Sequence, residues 1–345
     1  MEWLRIVCML LIVAHHFGGH GVYPESILPI NHFIQVALTT GGKLGVNCFV
    51  LITGYFLLRS HFGWRKVFKL VATVWVYSVV IYLTISLVEG NFDPILCAKA
   101  FFPIIYKQYW FMTAYLIAYI LSPFVAILVR ASTQKQHLLL MALLFVLACL
   151  LGMLPQVSLV SEVGWFIFLL LVGSYLYRYP NFVTRIKPLY AFLVWLGIYA
   201  LIVVVQYWGH YSMQGMTHPV CLAWSLALFA IFANAKIPNS KVVNRLAAGT
   251  LGVYLIHDNN YIRPRLWNSW LMVGWHSEQG YFIAFALLSI AAVWVACTLI
   301  DTARQFVFDL IEKGAVAIWR RLHPIEIPQE PEDLPAEAET VEKGI

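Results

Sequence analysis

The chain has 345 residues, of which 61% are hydrophobic and 12% charged, with a mean hydropathy of +0.75. Ordinary soluble domains carry about 25% charged and 45–50% apolar residues, so a soluble globular fold is excluded. Charge is also uneven: residues 322–345 hold seven of the 17 acidic and one of the 23 basic residues, leaving 22 basic against 10 acidic residues, a net +12, on residues 1–321. The basic part is read as membrane protein, with lipids around it and no nucleic-acid partner.

Ten apolar segments follow one another, at about 3–17, 34–58, 68–88, 110–129, 138–154, 163–177, 190–208, 219–234, 246–257 and 281–300. Each is read as a helix, which predicts an all-α polytopic membrane protein of about ten transmembrane helices. Several are shorter than the roughly 20 residues that span a bilayer and need neighbours, or must end inside the protein. The ninth can be extended through Tyr261 despite Asp258. The first has the outline of a signal peptide, but no small-residue cleavage site follows it and nine more apolar segments do, so it is kept as a helix. The expected domains are a membrane unit over 1–321, ten helices plus a cytoplasmic helical extension, and an acidic, proline-rich disordered cytoplasmic tail over 322–345, whose composition buries too little apolar surface to offset ordering.

Lysine and arginine in the short loops set the expected orientation. Loops two, four, six and eight contain twelve: Arg59, Arg65, Lys66, Lys69, Arg130, Lys135, Arg178, Arg185, Lys187, Lys236, Lys241 and Arg245. The odd-numbered loops contain four, Lys99, Lys107, Arg263 and Arg265. This bias puts both termini in the cytoplasm. The six cysteines lie mostly in or beside apolar segments without paired ligand spacing, so they read as packing residues; no disulfide and no metal are expected.

The first segment carries the chemistry. Arg5 and His16 are eleven residues apart, and at about 100° per residue eleven steps return to within about 20°, so the two share a helix face roughly 16 Å apart along the axis. His15 does not share it. Ionisable side chains in a membrane span are costly and face bundle interiors or watery cavities, where they mark a pathway or a reaction site. With the termini inside, Arg5 lies near the cytoplasmic surface and His16 deeper, toward the outer one.

The Arg5, ten residues, His16 pattern resembles the first helix of the membrane acyltransferase-3 family, integral-membrane O-acyltransferases of bacterial surface glycans. The stretch Gly45 to Leu57, Gly-Val-Asn-Cys-Phe-Val-Leu-Ile-Thr-Gly-Tyr-Phe-Leu, resembles its second-helix signature, with Asn47 where a carboxylate is common and Thr53 where serine is. Tyr109-Trp110-Phe111, Leu121-Ser122-Pro123, and Leu251 to His257 with Tyr254 are similar to further family stretches. The resemblance covers residues 1 to about 305. It implies a cytoplasmic acyl-CoA donor, usually acetyl-CoA, as cosubstrate, no permanently bound cofactor, and a glycan or lipid-linked saccharide acceptor at the outer face of a bacterial inner membrane. Some members are fused to an extracytoplasmic transferase domain; the expectation here is a stand-alone member, similar to the O-acetyltransferase of enterobacterial common antigen.

Each residue has a chemical role and a plain alternative. His16 suits a general base on an acceptor hydroxyl, or a nucleophile carrying the acyl group, against a packing histidine. Arg5, with its planar fork of donors, suits a CoA phosphate, against snorkelling to headgroups. Arg59, Arg65 and Lys66 would help collect the anionic donor, although orientation alone explains them. Lys43 and Asn47, four apart, share a face; Lys43 would stabilise an oxyanion, orient an acceptor, or anchor at the interface. Glu162 is a candidate partner for Lys43 or Arg263. His257 would assist catalysis or bind acceptor, against packing. Trp110 and Tyr254 enter as supporting residues through the resemblance. The segment 258–280 is rich in aromatic rings and hydrogen-bonding groups, which suit a sugar and equally an interfacial belt. Two rival functions are a glycan-lipid transporter or flippase, and a membrane sensor or scaffold using its acidic tail.

The charge bias predicts the sidedness of single cysteines. With native cysteines removed, Ser60→Cys should react only with reagents that reach the cytoplasm, and Ser212→Cys with an impermeant reagent added outside. Labelling of position 60 from outside would invert the topology.

Overall fold

The computed structural model describes residues 1–154, 157, 159–209 and 211–322, with side chains through 314. From residue 323 onward the tail read from the sequence lies outside the described residues. By compactness the chain divides into two units, Met1–Asp301 and Thr302–Ile345. Among the described residues every regular element is helical.

In chain order the helices are α1 (Glu2–His20), α2 (Pro29–Thr39), α3 (Gly42–Tyr55), α4 (Trp64–Glu89), α5 (Pro94–Phe101), α6 (Trp110–Ala131), α7 (Gln134–Phe145), α8 (Glu162–Arg178), α9 (Pro188–Gly209), α10 (Pro219–Asn234), α11 (Lys241–Ala248), α12 (Thr250–His257), α13 (Ile262–Pro264), α14 (Val273–His276) and α15 (Phe282–Leu322). Their ends follow local chemistry. Asp93 caps α5 by accepting from the amides of Ile95 and Leu96, with Pro94 in the first turn. Thr133 and Gln136 form a reciprocal capping box on α7. Gly90, at φ +64°, ends α4 in the left-handed conformation that glycine adopts without strain.

All ten apolar segments fall on helices, with three differences in detail: the fifth leaves the α-helix after Phe145 for a π-helical stretch, Val146–Leu150, and a 3₁₀ turn, Leu151–Met153. The second is divided: α2 stops at Thr39 and α3 starts at Gly42. The ninth is also divided, at Gly249, and ends at His257 rather than Tyr261, because Asp258 and Asn259 turn inward and are held by side chains. Seven stretches are long and apolar enough to cross a membrane among the described residues, including Pro29–Tyr55, and α10 is a shorter apolar helix of 16 residues. The outward faces of α7 and α9 carry exposed Leu138, Leu139, Leu143, Phe192, Leu193 and Leu196, as lipid-facing helices do. The protein is an all-α, multi-pass membrane protein.

Hydrogen bonds sort the connections into two ends. Arg130 Nη2 donates to the Leu58 carbonyl (3.2 Å), Arg178 donates to the Val129 carbonyl, Gln134 Nε2 donates to Tyr175 Oη (3.1 Å), and Asn234 Nδ2 donates to the Val183 carbonyl (2.8 Å), which joins loops two, four, six and eight. At the other end Asn31 Nδ2 donates to the carbonyls of Ser277 and Gln279 (both 2.8 Å), and Arg265 pairs with Glu89 through two bonds of 2.6 Å. Alternation of loops between two ends is what repeated crossing produces.

Small residues bring the central helices together. A Cβ on Gly173 of α8 would stand 2.5 Å from the Leu51 carbonyl oxygen and 2.6 Å from the Tyr55 nitrogen of α3, and one on Gly54 would stand 2.7 Å from the Leu170 carbonyl oxygen. Backbone therefore meets backbone at this crossing, the way close helix packing is achieved in membranes. Gly173→Ala should cost about 1–3 kcal/mol by overpacking and lower the melting temperature in detergent. Gly197→Ala on α9, where a Cβ meets nothing within 4 Å, serves as the control and should not.

Candidate active site

A cavity of about 290 Å³ opens between α1, α3, α6, α11 and α12. Arg5, Met9, Ile12, His15 and His16 line it from α1, and Gly42, Lys43, Val46, Phe49 and Thr53 from α3. Trp110, Phe111 and Tyr115 of α6 and Leu251 and Tyr254 of α12 close the walls. One space thus reaches from Arg5 to His16, about three helical turns along α1. The walls are mostly apolar and aromatic, with a few polar groups among them, a composition typical of a small-molecule site.

At the His16 end the imidazole orientation follows from hydrogen-bond logic. A carbonyl only accepts, so His257 Nδ1 carries a proton and donates it to the Val253 carbonyl one turn back (2.6 Å). In the neutral ring His257 Nε2 is then an acceptor, and His16 Nδ1, 2.8 Å away, donates to it. That leaves the lone pair of neutral His16 on Nε2, for which no hydrogen bond is found among the described residues. A nitrogen in this state can accept a proton or attack a carbonyl carbon.

Asp258 closes the arrangement. The residue is 5% exposed, and its Oδ1 lies 3.7 Å from His16 Nδ1, 3.6 Å from His20 Nε2 and 3.2 Å from Arg263 Nη1. A buried carboxylate needs such partners. It is also positioned to stabilise positive charge that develops on His16 during proton transfer. Asn259 Nδ2 donates to Tyr109 Oη (2.6 Å), which itself donates to the Leu255 carbonyl (3.0 Å), so the chain leaving α12 is tied to α6.

At the opposite end Arg5 Nη1 donates to both carboxylate oxygens of Glu2 at 2.9 Å. This pair is about one-third exposed, and Nη2 and Nε have no partner among the described residues. Lys43, which follows the Gly42 that packs on the His15 ring, places its Nζ 4.2 Å from the centroid of the Trp110 ring, a cation–π contact. Tyr115 Oη and Thr53 Oγ1 are 3.0 Å apart.

Residues 1–301 match the acyltransferase domain model of the acyltransferase-3 family. The chain belongs to that family. It is a membrane acyltransferase, which selects the enzyme over the transporter and scaffold readings. No curated protein and no solved structure matches the chain.

The fold of this acyltransferase gathers some of the sequence-read residues and separates others. Arg5, His16, Lys43, Trp110 and Tyr254 line one cavity, and His257 backs His16 from behind. His15 lines it too, although helical phase had set it off the stripe: the cavity wraps far enough around α1 to reach it, and its ring packs on Gly42 with Nδ1 at the Thr39 carbonyl. Asn47 is fully buried and absent from the lining; its amide accepts from Trp165 Nε1 (2.9 Å) and donates to the Met216 carbonyl (3.0 Å) and Ser225 Oγ (3.3 Å), which makes it a tie between α3, α8 and α10. Glu162 is exposed at the start of α8 and forms no ion pair among the described residues, and Arg263 pairs instead with Asp258. Of the loop-two residues, Arg59 lies over the Tyr177 ring and Lys66 donates to the His61 carbonyl; these and Arg65 are outside the cavity lining. Sequence reading missed His20 and Asp258. The available signals were the four-residue spacing from His16 to His20 and a carboxylate directly after an apolar span.

Proposed function

We propose that this acyltransferase moves an acyl group, acetyl first among candidates, from a cytoplasmic acyl-CoA to a hydroxyl of a cell-surface or lipid-linked glycan in a bacterial inner membrane. The observation that carries the reading is the single cavity lined by both Arg5 and His16, whose hydrogen bond to His257 leaves the lone pair on Nε2. The loop charge bias supports the Arg5 end as the cytoplasmic one. Arg5 receives a phosphate of the donor with the nitrogens that Glu2 leaves free, and Arg59, Arg65 and Lys66 add a positive field on the approach.

The acceptor hydroxyl gives its proton to His16 Nε2 while its oxygen attacks the thioester carbonyl carbon. The carbon–sulfur bond breaks, His16 returns the proton to the departing sulfur, and CoA leaves as the free thiol. The acceptor keeps the acyl group as an ester. His257 holds Nδ1 of His16 protonated so that the reacting nitrogen is the one facing the donor, and Asp258 balances the transient imidazolium. Lys43, held over Trp110, is placed to meet negative charge on the thioester oxygen or a sugar hydroxyl, and the Trp110 face suits a pyranose ring.

His16→Ala should leave the protein inserted and abundant and reduce acylation by about 10²–10⁴-fold, the usual worth of a general base. His15→Ala should reduce it only a few-fold. Mass spectrometry of surface glycan from cells carrying each variant reads the acetyl-sized difference directly. Retained activity in the first variant, or greater sensitivity of the second, overturns the assignment. Arg5→Lys keeps a charge and loses the fork; loss of one charged hydrogen bond of about 1.5–3 kcal/mol corresponds to a roughly ten- to more than hundredfold weaker affinity for CoA by calorimetry. Equal affinity in the two proteins moves Arg5 out of the donor site.

A further inference from the structure

His16 and His20 are four residues apart on α1, the spacing that puts two imidazoles on one helix face and serves as a metal-ligand pair in zinc enzymes. Their rings lie 4.7 Å apart, centroid to centroid. Asp258 approaches the same face from the end of α12, and one ligand atom from each of the three residues lies within 4.8 Å of the other two. Zinc bonds of about 2.0–2.1 Å at a tetrahedral angle separate ligand atoms by about 3.4 Å. The contacts of Asp258 Oδ1 with His16 Nδ1 (3.7 Å) and His20 Nε2 (3.6 Å) are close to that spacing before any ion draws them in. Two imidazoles and one carboxylate make a donor set suited to zinc and unsuited to magnesium or calcium.

We propose that His16, His20 and Asp258 form a reversible inhibitory site for a divalent transition metal, zinc in particular. The inhibitory half rests on the reading of His16 Nε2 as the reacting atom. Metal at His16 Nδ1 displaces the proton that this nitrogen donates to His257, and the neutral ring then carries its proton on Nε2. The lone pair needed for proton transfer is no longer available. Arg263, 3.2 Å from the same carboxylate oxygen, already neutralises part of its charge and keeps the site from holding the ion permanently. Nothing at the Arg5 end takes part, so donor binding is left in place.

The test uses the full chain purified in detergent without a polyhistidine tag. Cobalt(II) titration should give visible ligand-field bands that saturate at one equivalent and are displaced by zinc. His20→Ala and Asp258→Asn, each first shown to elute and melt like the wild type without metal, should bind at least about ten- to a hundredfold more weakly, since even partners behind the ligands contribute that much to metal affinity. Absence of stoichiometric binding, or equal binding by His20→Ala, overturns the site. Zinc should inhibit acyl transfer by the wild type, with reversal by chelator, while calorimetric CoA affinity stays unchanged. Stoichiometric binding without inhibition overturns the inhibitory role and also counts against Nε2 as the reacting atom, whereas loss of activity in His16→Ala together with absent metal binding supports the proposed reaction and overturns the metal site alone.

Discussion

The carboxylate of Asp258 is the constraint around which the site is organised. A charge buried beside an apolar helix end is strongly unfavourable unless it is paired, and the groups around this one, Arg263 at 3.2 Å and the imidazoles of His20 and His16 at 3.6 and 3.7 Å, come from the segment after α12 and from α1. Satisfying it draws the His16 turn of α1 against the end of α12. The contact between His16 and His257 is made in the same place, so one electrostatic requirement also fixes the partner that sets the tautomer of His16.

Close packing supplies the other half. A Cβ on Gly45 would stand 2.8 Å from the Cys8 carbonyl oxygen, and one on Gly42 would overlap the His15 ring, so α3 lies directly on α1 along the cavity wall. Gly252 gives Asp301 room in the same manner, and Asp301 accepts from Tyr77 Oη at 2.7 Å. Polar side chains in the interior work as ties: Asn47 joins its own helix α3 to α8 and α10, and Asn259 with Tyr109 anchors the exit of α12. With no water in the hydrocarbon region, such groups must find partners within the protein.

Much of this was legible in the chain itself. Composition and segment length identify a helical membrane protein because lipid admits so few backbone solutions, and helical phase alone aligns Arg5 with His16 because both lie on one regular element. What escaped depends on distance along the chain. Asp258 is 242 residues from His16, and no periodicity within a helix relates them. Asn47 was read as a site residue from its place in a motif beside Lys43, whereas the fold turns its amide into α8 and α10. The loop-two arginines carry orientation information, which the sequence cannot separate from ligand binding, and they are not among the residues that line the cavity. His15 shows the limit of phase arguments: a cavity wider than one helical stripe reaches neighbours about 100° away.

His257 accounts for how well this alignment can be kept. Its Nδ1 is bonded to the carbonyl of Val253, one turn back on the same helix, so the ring is fastened to its own backbone rather than to a loop. The direction of Nε2 is therefore a property of α12 as a rigid rod. His16 is likewise set within a regular turn of α1. The bearing of His16 Nε2 then reduces to the relative pose of two rods, which packing between helices holds more closely than a loop would.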